Sequence, residues 1–98
     1  MSVNDHEKPR PVSFDLGQVL ITPAAMTAIP AEKVQAALAR HAAGDWGVID
    51  EHDRRENELA LASGFRLFSV YELKDGIRFW IITEADRSAT TVLLPEDY

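Results

Sequence analysis

The stretch Phe65–Tyr98, FRLFSVYELKDGIRFWIITEADRSATTVLLPEDY, decides the fold. It reads as three consecutive antiparallel strands. Over Phe65–Leu73, Phe65, Leu67, Ser69, Tyr71 and Leu73 point one way, and Arg66, Phe68, Val70 and Glu72 the other. Lys74-Asp75-Gly76 is a short hairpin signal, with glycine where positive φ is needed. Ile77–Thr83 is the most apolar strand and is expected at the centre of its sheet, with Trp80 in the core. Ala85–Ser88 makes a second turn, Ala89–Leu94 the third strand, and Pro95 ends it.

Upstream of this meander the pattern becomes helical. Ser13–Ile21, SFDLGQVLI, is a short apolar strand or extended segment. Thr22 then caps a helix of one or two turns, with Pro23 at its first position. Pro30 opens a second helix over Ala31–Ala43, whose residues Val34, Ala37, Leu38 and His41 share one face, and Gly44 ends it. Asp50 is a credible N-cap for a third helix, Glu51–Ala62, with Leu59 and Ala62 expected toward the core and Gly64 closing it. Helices followed by a run of strands indicate an α+β fold. The expected architecture is two or three helices on one face of a three- to four-stranded antiparallel sheet, in β-α-α-β-β-β order.

Ninety-eight residues make one domain, read as 13–98 behind a flexible polar lead over 1–12. No apolar run approaches the roughly 18 residues of a membrane span, and the N-terminus lacks the apolar core of a signal peptide. The protein is therefore expected to be cytoplasmic. Cysteine is absent, which removes disulfides, thiolate metal sites and a cysteine nucleophile. Sixteen acids against ten bases leave a net charge of −6, so direct nucleic-acid binding is not expected. A charge of that size also serves solubility alone.

Three places hold candidate chemistry. Asp45–Glu58 carries six acids (Asp45, Asp50, Glu51, Asp53, Glu56 and Glu58) against Arg54 and Arg55. It is either a solvated helix face with favourable charge at the helix start or a docking face for a basic partner, its carboxylates imitating a row of phosphates. Thr83–Ser88 places Glu84, Asp86 and Arg87 at a strand turn. Turn chemistry explains them, as does a polar edge where Arg87 binds an anion and Glu84 or Asp86 acts as base. Trp46 is a loop anchor on the sheet or, if half-exposed, an interface residue. His52 and Glu56 share a helix face, but two ligands do not make a metal site, and neither metal nor cofactor is expected.

GDWG at Gly44–Gly47, the acidic helix with Asp53-Arg54 and Asn57, GFRLFSVYEL at Gly64–Leu73 and FWIITEADRSATTVLLPEDY at Phe79–Tyr98 resemble a family of small proteins. That family occurs on bacterial plasmids, integrative conjugative elements and phage-like islands, and its members are labelled plasmid-related or as a type I restriction subunit. A restriction methyltransferase subunit is implausible on size alone, since no cofactor-binding Rossmann unit fits. The resemblance implies a small acidic protein of a mobile element. The expectation is a non-enzymatic protein-binding module, an anti-restriction or anti-CRISPR inhibitor, that meets a host or element-encoded partner such as a basic nucleic-acid-binding protein. Its expected contacts are Trp46, Asp50, Glu51, Asp53 and Glu56, with Glu84, Asp86 and Arg87.

The element order also resembles RelE/ParE-type toxins, in which Arg66, Arg78, Arg87, Tyr71 and Tyr98 would act on RNA; the acidity argues against this. A third reading is self-association, a homodimer paired through Ala89–Leu94 as a sheet edge.

Overall fold

A computed structural model describes residues 14–98; the lead expected over 1–12, and Ser13, lie outside the described residues. Strand β1 is Gln18–Ile21, followed by helices α1 (Pro23–Ala28), α2 (Ala31–Ala42) and α3 (Glu51–Ser63), then strands β2 (Leu67–Glu72), β3 (Arg78–Thr83) and β4 (Ala89–Leu93). A short 3₁₀ turn, Pro95–Asp97, follows. The α+β class and the three helices are as the sequence predicts, and their boundary signals work as read. Thr22 accepts from the Ala25 amide, Asp50 from the Asp53 amide, and Gly64 closes α3 in the left-handed region at φ 79°.

The sheet differs from expectation in one respect. Its order is β1-β4-β3-β2; β2–β3 and β3–β4 are antiparallel, but β1 lies parallel to β4. The sheet is therefore mixed. A helical crossover through α1–α3 separates β1 from the meander, and such a connection permits parallel pairing. One consequence corrects the expected dimer: β4 is an interior strand with β1 and β3 on its two sides, so Ala89–Leu94 offers no free edge.

Registers sort the side chains onto two faces. Val19, Thr90, Thr83 and Leu67 form one row across the strands, and Ile21, Val92, Ile81 and Ser69 the next; this face carries the helices. Leu20, Thr91, Ile82 and Phe68 form a row on the opposite, helix-free face. The main core lies between α1, α2 and the sheet: Ala25, Ile29, Val34, Ala37 and Leu38 pack on Tyr71, Phe79, Ile81, Val92 and Leu94. A smaller core gathers Trp46, Ala60 and Leu67 with Phe14, Ile49 and Leu61. The buried positions of α3 are thus Asn57 and Ala60, whereas Leu59 and Ala62 face outward, contrary to expectation.

Asn57 is buried because it completes an edge. Its side-chain oxygen accepts from the Phe68 amide at 3.0 Å and its side-chain nitrogen donates to the Phe68 carbonyl at 2.6 Å. The next outward-facing residue of β2 is served by a short extended segment. The Val70 amide donates to the Trp46 carbonyl, and the Val48 amide donates to the Val70 carbonyl. Gly47 sits at φ 79° between them, where an added Cβ would overlap the Val70 carbonyl. The outer edge of β2 is therefore covered along its middle.

Candidate functional site

The Thr83–Ser88 turn is built by Arg87. Its φ is +63°, a left-handed conformation unusual for a residue with a side chain. That backbone turns the guanidinium inward, where it donates to the carbonyls of Phe65 (2.6 Å), Ala60 (3.1 Å), Glu84 (3.2 Å) and Ala85 (3.2 Å). The charge lies at the C-terminal end of α3, where a helix presents unsatisfied carbonyls. Arg87 thus ties α3 to the β3–β4 turn instead of pairing with a neighbouring acid, and its donors are engaged by backbone oxygens. Asp86 accepts from the Ser88 amide at 3.0 Å, and the Ser88 side chain holds its carboxyl below the usual range. Glu84 turns away to stand 4.0 Å from Arg66. The three residues read as one cluster are dispersed by the turn.

On α3 the acids divide by role. Asp50 is spent on capping, and Glu51 lies against Arg54 and Arg55, with Arg54 chiefly responsible for holding its carboxyl low. Glu58 accepts from the Trp46 indole at 2.9 Å. Trp46 itself is buried, so its ring belongs to the core and not to a contact surface. Asp53 and Glu56 remain on a groove with Asn57, Leu59, Phe65, Arg66 and Phe68. At the helix start Asp50, His52 and Asp53 bring ligand atoms within 4.8 Å of one another, all exposed.

That groove runs into a second one on the helix-free face of the sheet. Its lining is Arg66, Leu67, Phe68, Trp80, Ile82 and Tyr98, and its volume is about 310 Å³. Trp80, expected in the core, stands half-buried here. Its ring meets Phe68 edge-on at 5.1 Å and Tyr98 at 5.5 Å. Arg66 donates to the Tyr98 hydroxyl at 3.2 Å and lies over its ring. Of the five residues considered for RNA chemistry, only Arg66 and Tyr98 meet. Arg78 pairs with Glu72, and Tyr71 is buried, donating to the Asp45 carbonyl at 2.6 Å. Burial pushes the Tyr71 phenol up to about 12.

Sequence reasoning missed a polar chain inside the main core. His41 Nδ1 is 2.5 Å from Ser69 Oγ and its Nε2 is 2.8 Å from Thr83 Oγ1; Thr83 Oγ1 is 2.8 Å from Thr90 Oγ1, which donates to the Leu16 carbonyl at 2.6 Å. All four side chains are fully buried. Phe14 and Trp46 close over the imidazole edge-on. Burial, with a smaller contribution from the Arg87 charge, lowers the His41 pKa to about 4, so the ring is neutral. The chain links α2, three strands and the segment before β1, and ends on a carbonyl with no carboxylate. It holds the fold together and presents no nucleophile to solvent. Its signal was present: His41 on the apolar face of α2, and Ser69, Thr83 and Thr90 in inward strand positions, are polar residues that need one another.

Compared with known proteins, the chain matches no family model, no curated protein and no solved structure.

Proposed function

We propose that the protein is a non-enzymatic protein-binding module whose contact surface is the pair of adjoining grooves from the exposed side of α3 to the helix-free sheet face. One observation carries this reading. Leu59, Phe65 and Tyr98, exposed by 62%, 64% and 71%, lie along or beside grooves that share Arg66 and Phe68. Large exposed apolar side chains that adjoin one another mark interaction sites, and aromatic anchors dominate interface energetics. Asp53 and Glu56 sit at one end, in a chain of net charge −6, so the partner is a basic protein with apolar side chains. Within this reading, the setting implied by the sequence resemblance supplies the biological role, an anti-defence inhibitor that occupies a basic nucleic-acid-binding host protein.

The test is capture of binding proteins from host lysate on the wild type and on two variants, Phe65→Ser and Asp53→Lys/Glu56→Lys. A basic protein held in stoichiometric amount by the wild type, released by moderate salt and lost by both variants supports the reading. Equal retention by all three chains contradicts it.

A further inference from the structure

The two edges of the sheet are treated differently. The edge of β2 is covered by Asn57 and by Trp46–Val48. The edge of β1 has no partner among the described residues. The Gln18 amide donates to the carbonyl of Ser88, just before β4, and the Thr22 amide to that of Val92 in β4, so even-numbered residues direct their backbone groups inward. The amides and carbonyls of Val19 and Ile21 therefore face outward. None of the usual protections is present: Gln18–Ile21, QVLI, has no charge, proline or bulge. Its flanks are apolar, with Val19 and Leu20 exposed by 46% and 43%, and Met26 of the adjoining α1 by 62%.

We infer that β1 is the self-association edge of the protein, pairing antiparallel with β1 of a second copy to make one continuous eight-stranded sheet. The outward residues select the register. A two-fold axis through Leu20 sets Val19 of each copy opposite Ile21 of the other, and each such pair exchanges two backbone hydrogen bonds. Leu20 meets Leu20 at the axis on the helix-free face, where directly opposed side chains are closest. The uncharged strand lets two acidic chains meet there without opposing like charges.

The chain's own N-terminal residues are a poorer occupant. Phe14, where they join, is held by ring contacts with His41 and Trp46. They also include Pro9 and Pro11 with Asp5, Glu7, Lys8 and Arg10, a composition ill suited to a ladder. The pairing does not depend on the contact surface proposed above.

Sedimentation velocity on the full chain over a concentration series tests this. The wild type is expected to approach twice the 10.9 kDa chain mass. Leu20→Lys, which opposes two like charges at the axis, is expected to return it to the single-chain mass with an unchanged circular dichroism spectrum. Leu59→Lys, on the exposed side of α3, should leave the dimer intact. Should Leu20→Lys fail to fold, Val19→Lys replaces it, with the same expectation. A wild-type chain that stays at single mass throughout, or a dimer that both β1 variants leave intact, overturns the inference.

Discussion

His41 Nε2 lies 2.8 Å from Thr83 Oγ1, and this contact has a fixed direction. The Leu16 carbonyl can only accept, so the Thr90 hydroxyl must donate to it. Thr90 then has only lone pairs to offer Thr83, and the Thr83 proton is used on Thr90. Thr83 must therefore accept from His41, which places the imidazole proton on Nε2 and leaves Nδ1 to accept from Ser69. One carbonyl in the segment before β1 thus sets the tautomer of a histidine on α2. Nitrogen–proton NMR of the imidazole at neutral pH is expected to show a protonated Nε2 and a bare Nδ1, with the reverse in neither a minor nor an averaged form.

The same histidine makes the fold acid-sensitive. Its pKa in the folded chain is about 4, below the 6.5 of an unfolded histidine. Between these values the unfolded chain binds the extra proton, so stability is present above about pH 6.5 and is lost as pH falls toward 4. The loss from this one group amounts to about 3 kcal/mol. Denaturant titrations at pH 7, 5.5 and 4.5 should show it. His41→Gln, destabilised at neutral pH, should show a correspondingly shallower dependence across that window.

Arg87 is expected to matter for stability. Arg87→Ala takes the guanidinium donor from the carbonyls of Phe65 and Ala85, removes one of the donors to Ala60 and Glu84, which keep backbone amides, and keeps a side chain in the left-handed region. A cost of about 2–3 kcal/mol follows from losing hydrogen bonds to a charged group. Urea unfolding measures it. An anion-binding Arg87 would instead leave stability near the wild-type value.

Asn57→Asp isolates the edge cap. The carboxylate still accepts from the Phe68 amide but cannot donate to the Phe68 carbonyl. Its second oxygen is instead repelled by the Phe68 carbonyl, which pushes the side chain off the edge. The expected loss is about 1–3 kcal/mol, with faster amide exchange at Phe68 and a greater tendency to aggregate through the uncovered edge of β2. Exchange rates unchanged at Phe68 would contradict the role.

Local signals carried most of the fold. Strand alternation and Gly76 gave the meander, and Thr22-Pro23, Asp50 and Gly64 gave helix boundaries, because each acts through atoms a few residues away. The parallel pairing of β1 with β4 joins Val19 to Thr90, and no local pattern encodes it. The α3 face was misjudged for a related reason. Asn57 is buried by a strand edge that apolar periodicity does not see, while Leu59 is apolar and exposed. At the candidate site, the acids of α3 were legible as charge. The groove beside them was not, because it depends on Trp80 and Tyr98 meeting across the helix-free face.

The contact surface is the central claim, and its footprint is the most direct measurement. Amide spectra of the isotopically labelled chain would be recorded with and without the basic protein it retains. The account predicts perturbations concentrated at Asp53–Leu59, Phe65–Phe68, Trp80–Ile82 and Tyr98. Perturbations confined to the opposite side, along α2 and the Lys74–Asp75 hairpin, would contradict it.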